Sequence, residues 1–428
     1  MATIILASLV GLILLGIPIS YALGLTAIIA VFEMGVPSLL SLVPQRIFSG
    51  INMFPLMALP FFIMAGEIMN ETDITDRLIN FSKILVGHLR GGLAQVNVIV
   101  SILFAGLTGA ALSDAAALGS ILIPAMEEDG YDTDFSAAIT AASAIIGPTI
   151  PPSIIMVLYG SIMQVSIAGL FAAGIVPGLL FGIILMVINN IISRKRNYPC
   201  GENHLNVKNV FLGFKKSILA LFLPIIILGG ILFGIFTPTE AGAVAVIYGL
   251  FLGFVVFRNV TFKSLNKIMY NTSRTTAMVF FIIATASILS WFLASERVPQ
   301  MVADFILGIS SNKYLVLTMI NFFMLFIGMF MDINAALIIL GPILAPVAMK
   351  VGVNPLHFGF IMVMALNIGM MTPPLGTCLY VTAGIGDISI EKITGAIWPF
   401  IVAAIITLFV VTFVPSISMF LPRLLGFA

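Results

Sequence analysis

Along this chain, apolar residues run on for the length of a bilayer crossing again and again. Such runs lie near positions 1–32, 51–70, 92–126, 134–168, 170–192, 218–257, 275–295, 314–349, 356–386 and 394–420. A helix needs roughly 20 apolar residues to cross about 30 Å of hydrocarbon, so each run predicts at least one membrane helix. Several are too long for one crossing and carry Gly or Pro near the middle. Met1–Phe32 reads either as one span or as a broken pair. It lacks the basic stretch and small-residue cleavage site of a signal peptide.

Four of the interruptions form two sets. Polar breaks fall in L-T-G-A-A-L-S-D-A at 107–115 and G-M-F-M-D-I-N-A at 328–335. Proline breaks fall in I-I-G-P-T-I-P-P-S at 145–153 and N-I-G-M-M-T-P-P-L-G at 367–376. At one offset of 222 residues, Pro124 falls on Pro346, Gly130 on Gly352 and Gly147 on Gly369. The same offset lays Pro151 and Pro152 on Pro373 and Pro374, and Pro177 on Pro399. Each 54-residue window holds five prolines and four superpose, which chance does not supply. Paired Gly/Pro interruptions in two halves of a membrane protein point to a transporter's binding site.

Composition agrees and removes other classes. The 428 residues are 60% hydrophobic and 9% charged, with mean hydropathy +1.18. A soluble domain is about 25% charged, so the bilayer is the solvent here. A net charge of +1 leaves no basic footprint for nucleic acid. Cys200 and Cys378, and His88, His204 and His357, are too scattered for a metal centre. No phosphate-binding Walker motif is present, which argues against ATP-driven transport by this chain alone.

Charge sets a topology. The most polar connection, Ser193–Lys216, carries Arg194-Lys195-Arg196 and Lys215-Lys216, and basic loops stay cytoplasmic. Two spans on, Arg258, Lys263, Lys267 and Arg274 return to that side, as do Arg77, Lys83, His88 and Arg90 in the first half. The matching stretches, Pro37–Ser49 and Glu296–Lys313, face the other side. The halves then have opposite topology, provided that 92–126 and 314–349 enter and leave on one side as re-entrant hairpins. Non-helical backbone at membrane depth is tolerated only where protein buries it or it lines a cavity. The expected fold is an all-α polytopic membrane protein, an inverted-topology repeat with two re-entrant hairpins and two broken helices.

The chemistry follows from the breaks. Asp114 and Asp332 are the hairpin-tip acids, and an ionised carboxylate at mid-membrane normally has a charged partner. Each either caps the second limb of its hairpin or adds a cation or gating role to the cap. Prolines 148, 151, 152, 373 and 374 remove backbone donors, which leaves carbonyls around Ile146-Gly147 and Ile368-Gly369 without partners. With hydroxyls from Thr149, Ser153, Thr372 and Thr377, they make an all-oxygen cage of the kind a hard cation prefers. No cluster of acids suits a divalent ion, so Na⁺ is the expected occupant. The half-helix that starts at each proline pair offers free N–H groups to a carboxylate, which places Pro151, Ser153, Pro374 and Gly376 beside substrate. Arg297 either holds an anionic substrate or pairs Asp332, or is a helix-end charge beside Glu296. Broken helices under an inverted repeat favour a carrier over a channel. A rival reading takes Gly384-Ile385-Gly386-Asp387 and Tyr131-Asp132 as an intramembrane aspartyl protease dyad. Both acids, however, lie at polar ends of their segments.

The patterns L-T-G-A-A-L-S-D-A-A-A-L-G, I-P-A-M-x-x-x-G-Y and I-I-G-P-T-I-P-P-S resemble the large membrane subunit of tripartite ATP-independent periplasmic (TRAP) transporters, DctM-like. T-P-T-E-A-G-A at 237–243 and the stretch 352–376 extend the resemblance over essentially the whole chain. It implies an elevator-type carrier in a bacterial inner membrane that takes up an organic acid with Na⁺. It also implies a small four-helix membrane subunit and a periplasmic substrate-binding protein as partners. Carried over by residue, the cation sites are Thr108, Gly109, Ser113 and Asp114 with Gly147 and Thr149, and Gly328, Asp332 and Asn334 with Gly369, Thr372 and Thr377. The second break reads G-M-M-T-P-P against G-P-T-I-P-P, so the two cages are chemically unequal. Overall similarity leans to the sialic-acid branch over the C4-dicarboxylate branch. A stand-alone Na⁺/carboxylate symporter is the alternative. The expected organisation is scaffold and arm over 1–91, a transport half over 92–168, a scaffold helix over 169–192 and a linker over 193–217. Scaffold and arm recur over 218–313, the second transport half spans 314–386, and a scaffold helix fills 387–428.

Overall fold

The computed structural model describes residues 2–35, 37–201 and 207–428, so part of the 193–217 linker lies outside the described residues. Among the described residues the secondary structure is helical, apart from one isolated bridge between Arg90 and Cys200. The first half opens with α1 (Ala2–Leu14), α2 (Ile19–Glu33), α3 (Leu42–Ile51), α4 (Ala58–Asn70) and α5 (Ile74–Val86). It continues with α6 (Gly92–Thr108) and α7 (Ala111–Glu128), then α8 (Thr133–Ala144), the short α9 (Ile146–Thr149) and α10 (Ile154–Met163). The long α11 (Ile167–Lys195) ends it. The second half runs α12 (Val207–Leu232), α13 (Pro238–Phe251), α14 (Phe262–Ser295) and α15 (Val298–Ile309). Then come α16 (Lys313–Phe330), α17 (Ile333–Lys350), α18 (Pro355–Gly369), α19 (Thr377–Gly386), α20 (Ile390–Phe413) and α21 (Pro415–Leu424).

The proline offset reappears as an offset of elements. Helix α7 and helix α17 begin and end 222 residues apart at both termini, and α6 with α16, α10 with α19 and α11 with α20 follow to within a few residues at their starts. The opening run is a broken pair: α1 and α2 are separated at Leu15–Pro18 and pack on one another. Among the described residues, seven helices are long and apolar enough to cross a membrane, or up to nine if each bent pair counts once. The bent pairs are α3 with α4, turned by 61°, and α8 with α10, turned by 41°. This is a multi-pass membrane protein.

Local chemistry explains the helix starts. Thr237 caps α13 and exchanges bonds with Glu240 in a capping box, with Pro238 in the first turn. Asn354 caps α18 ahead of Pro355. Two of the motifs that carried the family resemblance are therefore helix-start signals.

Helices α2, α3 and α4 pack along α14, α13 lies on α4, and α12 lies on α5 and α13. Helices α11 and α20, expected among the scaffold, pack on α6, α8 and α18 as well as on each other. The basic stretches gather at one end. Arg77 donates to the Lys216 carbonyl, Arg90 to Asn197, Asn259 to Asp73 and Lys267 to Glu71. Arg196 holds both Asp132 and Asp134 at 2.9 Å there. Lys350 meets Asp304, and Lys313 meets the Gly352 carbonyl, in another group of loops.

Candidate transport site

Each polar tip packs on its own proline break. Helix α6 ends at Gly109 with φ of +60°, a conformation that costs other residues energy and glycine little. A Cβ there would also lie 2.7 Å from the Pro152 carbonyl and 3.1 Å from Ser153 Cα, so only glycine lets the tip reach break 1. One turn on, a Cβ on Gly147 would fall on Asp114 Oδ2, which places that carboxylate directly against the break. In the second half, Gly328 meets Gly369 backbone to backbone: a Cβ on Gly369 would lie 2.5 Å from the Gly328 carbonyl carbon. Both proline pairs, Pro151-Pro152 and Pro373-Pro374, have cis peptide bonds.

The two acids do not share one role. Asp332 is the N-cap of α17 and accepts from the backbone N–H of Asn334 at 2.9 Å and of Ala335 at 3.3 Å. It is exposed. Asp114 is not the N-cap of α7, which is Ala110; it lies inside the first turn with zero exposure. The offset explains this, because it lays Asp332 on Ala110 and Asp114 on Ala336. The expectation of capping holds at the second tip and is corrected at the first. There, the acid still benefits from the positive end of α7.

The carbonyls of the breaks are also differently engaged from the expectation. Ile146 O accepts from Ile150 N, Ile368 O from Met371 N and Gly369 O from Thr372 N. Those carbonyls are partnered, which corrects the simple picture of bare half-helix ends. At break 1, Pro151 and Pro152 stand where the helical donors to Gly147 O and Pro148 O would be. At break 2, Met370 O is taken by Cys378 N at 3.0 Å. Thr149 and Thr372 each donate their hydroxyl to a carbonyl four residues back, at 2.7 Å, which leaves the oxygen lone pairs free to accept. Ser153 caps α10 through the Met156 N–H. Break 1 is buried from Pro151 to Ser153, whereas Pro374 and Thr377 are exposed.

Residues named from sequence thus divide. Gly109 meets Pro152 and Ser153, Asp114 meets Gly147, and Gly328 meets Gly369, whose carbonyl accepts from Thr372 N. Thr149 and Pro151 lie in the same buried break but against Gly174 of α11. Asp332 and Asn334 form the start of α17, and Gly376 accepts a close approach within its own loop. Arg297 is exposed at the start of α15, with no ion pair to Asp332 or Glu296 among the described residues. The side chain of Thr108 lies outside the described residues. Ser113, next to Asp114, points the other way into a cleft beside α4.

That cleft was not anticipated. A cavity of about 60 Å³ lies between the tip, at Ala110 and Ser113, and Gly66, Glu67, Asn70 and Thr275. A wider one of about 470 Å³ shares Glu67, Asn70 and Ser113 and runs on to Thr75 and Asp76 at the head of α5. The cleft therefore leads from tip 1 toward the end that gathers the basic loops. Glu67 was legible as a candidate, since an ionisable residue inside an apolar run is a functional hypothesis by default. Its partner was not: Asn271 Nδ2 donates to Glu67 Oε2 at 3.0 Å from 204 residues away.

The protease dyad fails on placement. Asp132 is held at the surface by the Tyr198 hydroxyl at 2.7 Å and by Arg196, which in that order keep its carboxyl below the usual range. Asp387 is the left-handed C-cap of α19.

A family model described as the tripartite ATP-independent periplasmic transporter, DctM component, matches residues 6–417. The sialic acid TRAP transporter large permease protein SiaM of Vibrio cholerae serotype O1 is 41% identical over 414 residues, 97% of this chain and 96% of that one. The C4-dicarboxylate TRAP transporter large permease protein DctM of Rhodobacter capsulatus is 36% identical over 440 residues, 99% of each. Among solved structures, the Alcanivorax borkumensis YdaH transporter aligns with TM-score 0.62 over 92% of this chain and 89% of its own, at 14% identity. That last likeness is one of fold alone. The chain belongs to the DctM family, the large permease components of TRAP transporters, and is a membrane transport subunit for organic acids rather than an enzyme.

Proposed function

We propose that this subunit takes up an organic acid together with Na⁺ by an elevator movement, in a bacterial inner membrane. The contact of each tip with its own break carries the reading, above all Asp114 against Gly147 and Gly109 against Pro152. An ionised carboxylate buried in a membrane protein costs several kcal/mol unless opposite charge offsets it. The positive end of α7 and the groups already bonded to Asp114 offset part of that, and Na⁺ among Asp114, Gly147 O, Pro148 O and Thr149 Oγ1 adds the opposite charge. A second, weaker cation lies near Gly328, Gly369 and Thr372. The acid's carboxylate faces the N-terminus of α10, behind Pro151, Pro152 and Ser153.

Helices α6 and α7, and α16 and α17, act as re-entrant hairpins, and the halves are an inverted repeat. The shared offset of elements and the gathering of basic loops at one end support both, that end being cytoplasmic. The mobile body is 92–168 with 314–386, and α11 and α20 travel with it because they pack on its helices. The scaffold is built on α2, α4, α13 and α14. The cleft beside Glu67 then opens to the cytoplasm. A small four-helix membrane subunit completes the permease and a periplasmic binding protein delivers the acid. Sialic acid is favoured over a C4-dicarboxylate, since the relative named for it is 41% identical against 36%. The isethionate TRAP transporter permease protein of Oleidesulfovibrio alaskensis, also 41% identical, is named for another monoanion with a hydroxyl.

The test is uptake into proteoliposomes that hold this chain and its small partner, with and without an inward Na⁺ gradient and the binding protein. Uptake that needs both is expected. Uptake indifferent to Na⁺ would remove the cation from the mechanism.

A further inference from the structure

We propose that Glu67 makes the cleft selective for acids with one anionic group and several hydroxyls, and against dicarboxylates. The inference rests on the reading above that the acid's carboxylate faces the N-terminus of α10, where Ile154 lines the inner end of this cleft. Glu67 lines both cavities together with Ser113 of the tip. Asn271 fixes one carboxylate oxygen by donation to Oε2, which leaves Oε1 to accept from a ligand. Asn70, Thr275 and Ser113 add neutral hydrogen-bonding groups, and Asp76 adds a second carboxylate toward the mouth. No Lys, Arg or His is among the residues that line either cavity.

Two nearby cations, Lys267 and Arg77, have their first partners outside the cleft. Lys267 is paired with Glu71 and attracts Glu67 only as a lesser, longer-range partner. Arg77 donates to the Lys216 carbonyl while its guanidinium lies 4.2 Å from the Phe257 ring centroid. An acid whose single carboxylate sits at tip 1 therefore turns its other end toward a fixed negative wall. A hydroxyl there donates to Glu67 in a charge-assisted bond. A second carboxylate there meets like charge in a partly enclosed space, where Coulomb repulsion is strong, and finds no positive partner.

The experiment is equilibrium binding of radiolabelled N-acetylneuraminate, in Na⁺, to the purified complex of this chain with its small subunit, competed by unlabelled N-acetylneuraminate or succinate. Succinate is expected to compete at least about tenfold more weakly. Glu67→Gln should narrow that gap severalfold, by weakening N-acetylneuraminate and strengthening succinate. Asp76→Asn should narrow it less, and serves if Glu67→Gln fails to fold. Equal competition in the wild-type complex, or an unchanged ratio in a folded variant that still binds in a Na⁺-dependent way, overturns the selectivity assignment and leaves the transport reading standing. Absence of Na⁺-dependent binding of either acid overturns the transport reading, and the selectivity assignment with it.

Discussion

Tip 1 and tip 2 are written in the same sequence grammar, yet they are built differently. At tip 1, the acid lies within the helix, fully buried, against a break buried from Pro151 to Ser153. At tip 2, the acid is an exposed N-cap, and the facing break is open at Pro374 and Thr377. Break 2 also satisfies more of its own carbonyls, through Thr372 N and Cys378 N. A fully buried carboxylate is costly to keep ionised and favours a cation beside it, whereas an exposed capping carboxylate is held by solvent and two backbone N–H groups. The lesson is that a repeat can preserve chain path while it moves the charge by four residues, from one job to another.

The largest expected effect breaks the symmetry directly. Asp114→Asn should cut Na⁺-driven uptake by about 100-fold, in line with about 3 kcal/mol for loss of one partner of a buried charge pair. Asp332→Asn should cost far less, since Asn caps as well as Asp does. Initial uptake rates against Na⁺ concentration decide it, and equal losses would make the tips equivalent after all. Next in size, Pro151→Ala with Pro152→Ala restores donors beneath Gly147 O and Pro148 O. We expect about a tenfold loss there and a smaller one for Pro373→Ala with Pro374→Ala, because the second break has room and partners of its own. A double variant of break 1 with normal Na⁺ dependence would remove that break from the cation site.

Smaller still, Asp332→Ala removes the cap that Asp332→Asn keeps, worth about 1 kcal/mol or roughly fivefold in a folding equilibrium. A lower melting temperature in the Ala variant alone would sharpen the view that this acid is structural. If both variants lose uptake equally while stability differs, its charge matters too. The smallest effect lies outside the membrane. The Tyr198 hydroxyl, with Arg196, holds Asp132 below its ordinary pKa, so this contribution to stability is present above about pH 4 and lost as pH falls through the folded value. Tyr198→Phe keeps the ring against Tyr131 and Phe135. Its melting temperature should therefore lie slightly below wild type at neutral pH and converge with it in acid. A gap that persists or widens in acid would contradict the assignment.

Much of the fold was legible. The spans, the proline breaks and the helix starts at Thr237 and Asn354 are local matters of hydropathy, missing donors and caps. The unequal tips were also legible, because the offset that aligns the prolines lays Asp332 on Ala110. The engagement of Ile146, Ile368 and Gly369 carbonyls was not legible, since it depends on how tightly each break turns. Nor was the cleft, whose walls come from α4, α7, α10 and α14.

By itself, the sequence determined the solvent, the breaks, their repetition and the family, because each rests on residues close together or on a pattern that recurs at one spacing. Only the tertiary structure decided that Asp114 turns to Gly147 while Ser113, one residue before, turns to Glu67. Neighbours on a helix lie about 100° apart, so each meets a different part of the chain. Which part it meets is set by contacts between residues tens to hundreds of positions apart, and no local pattern encodes those.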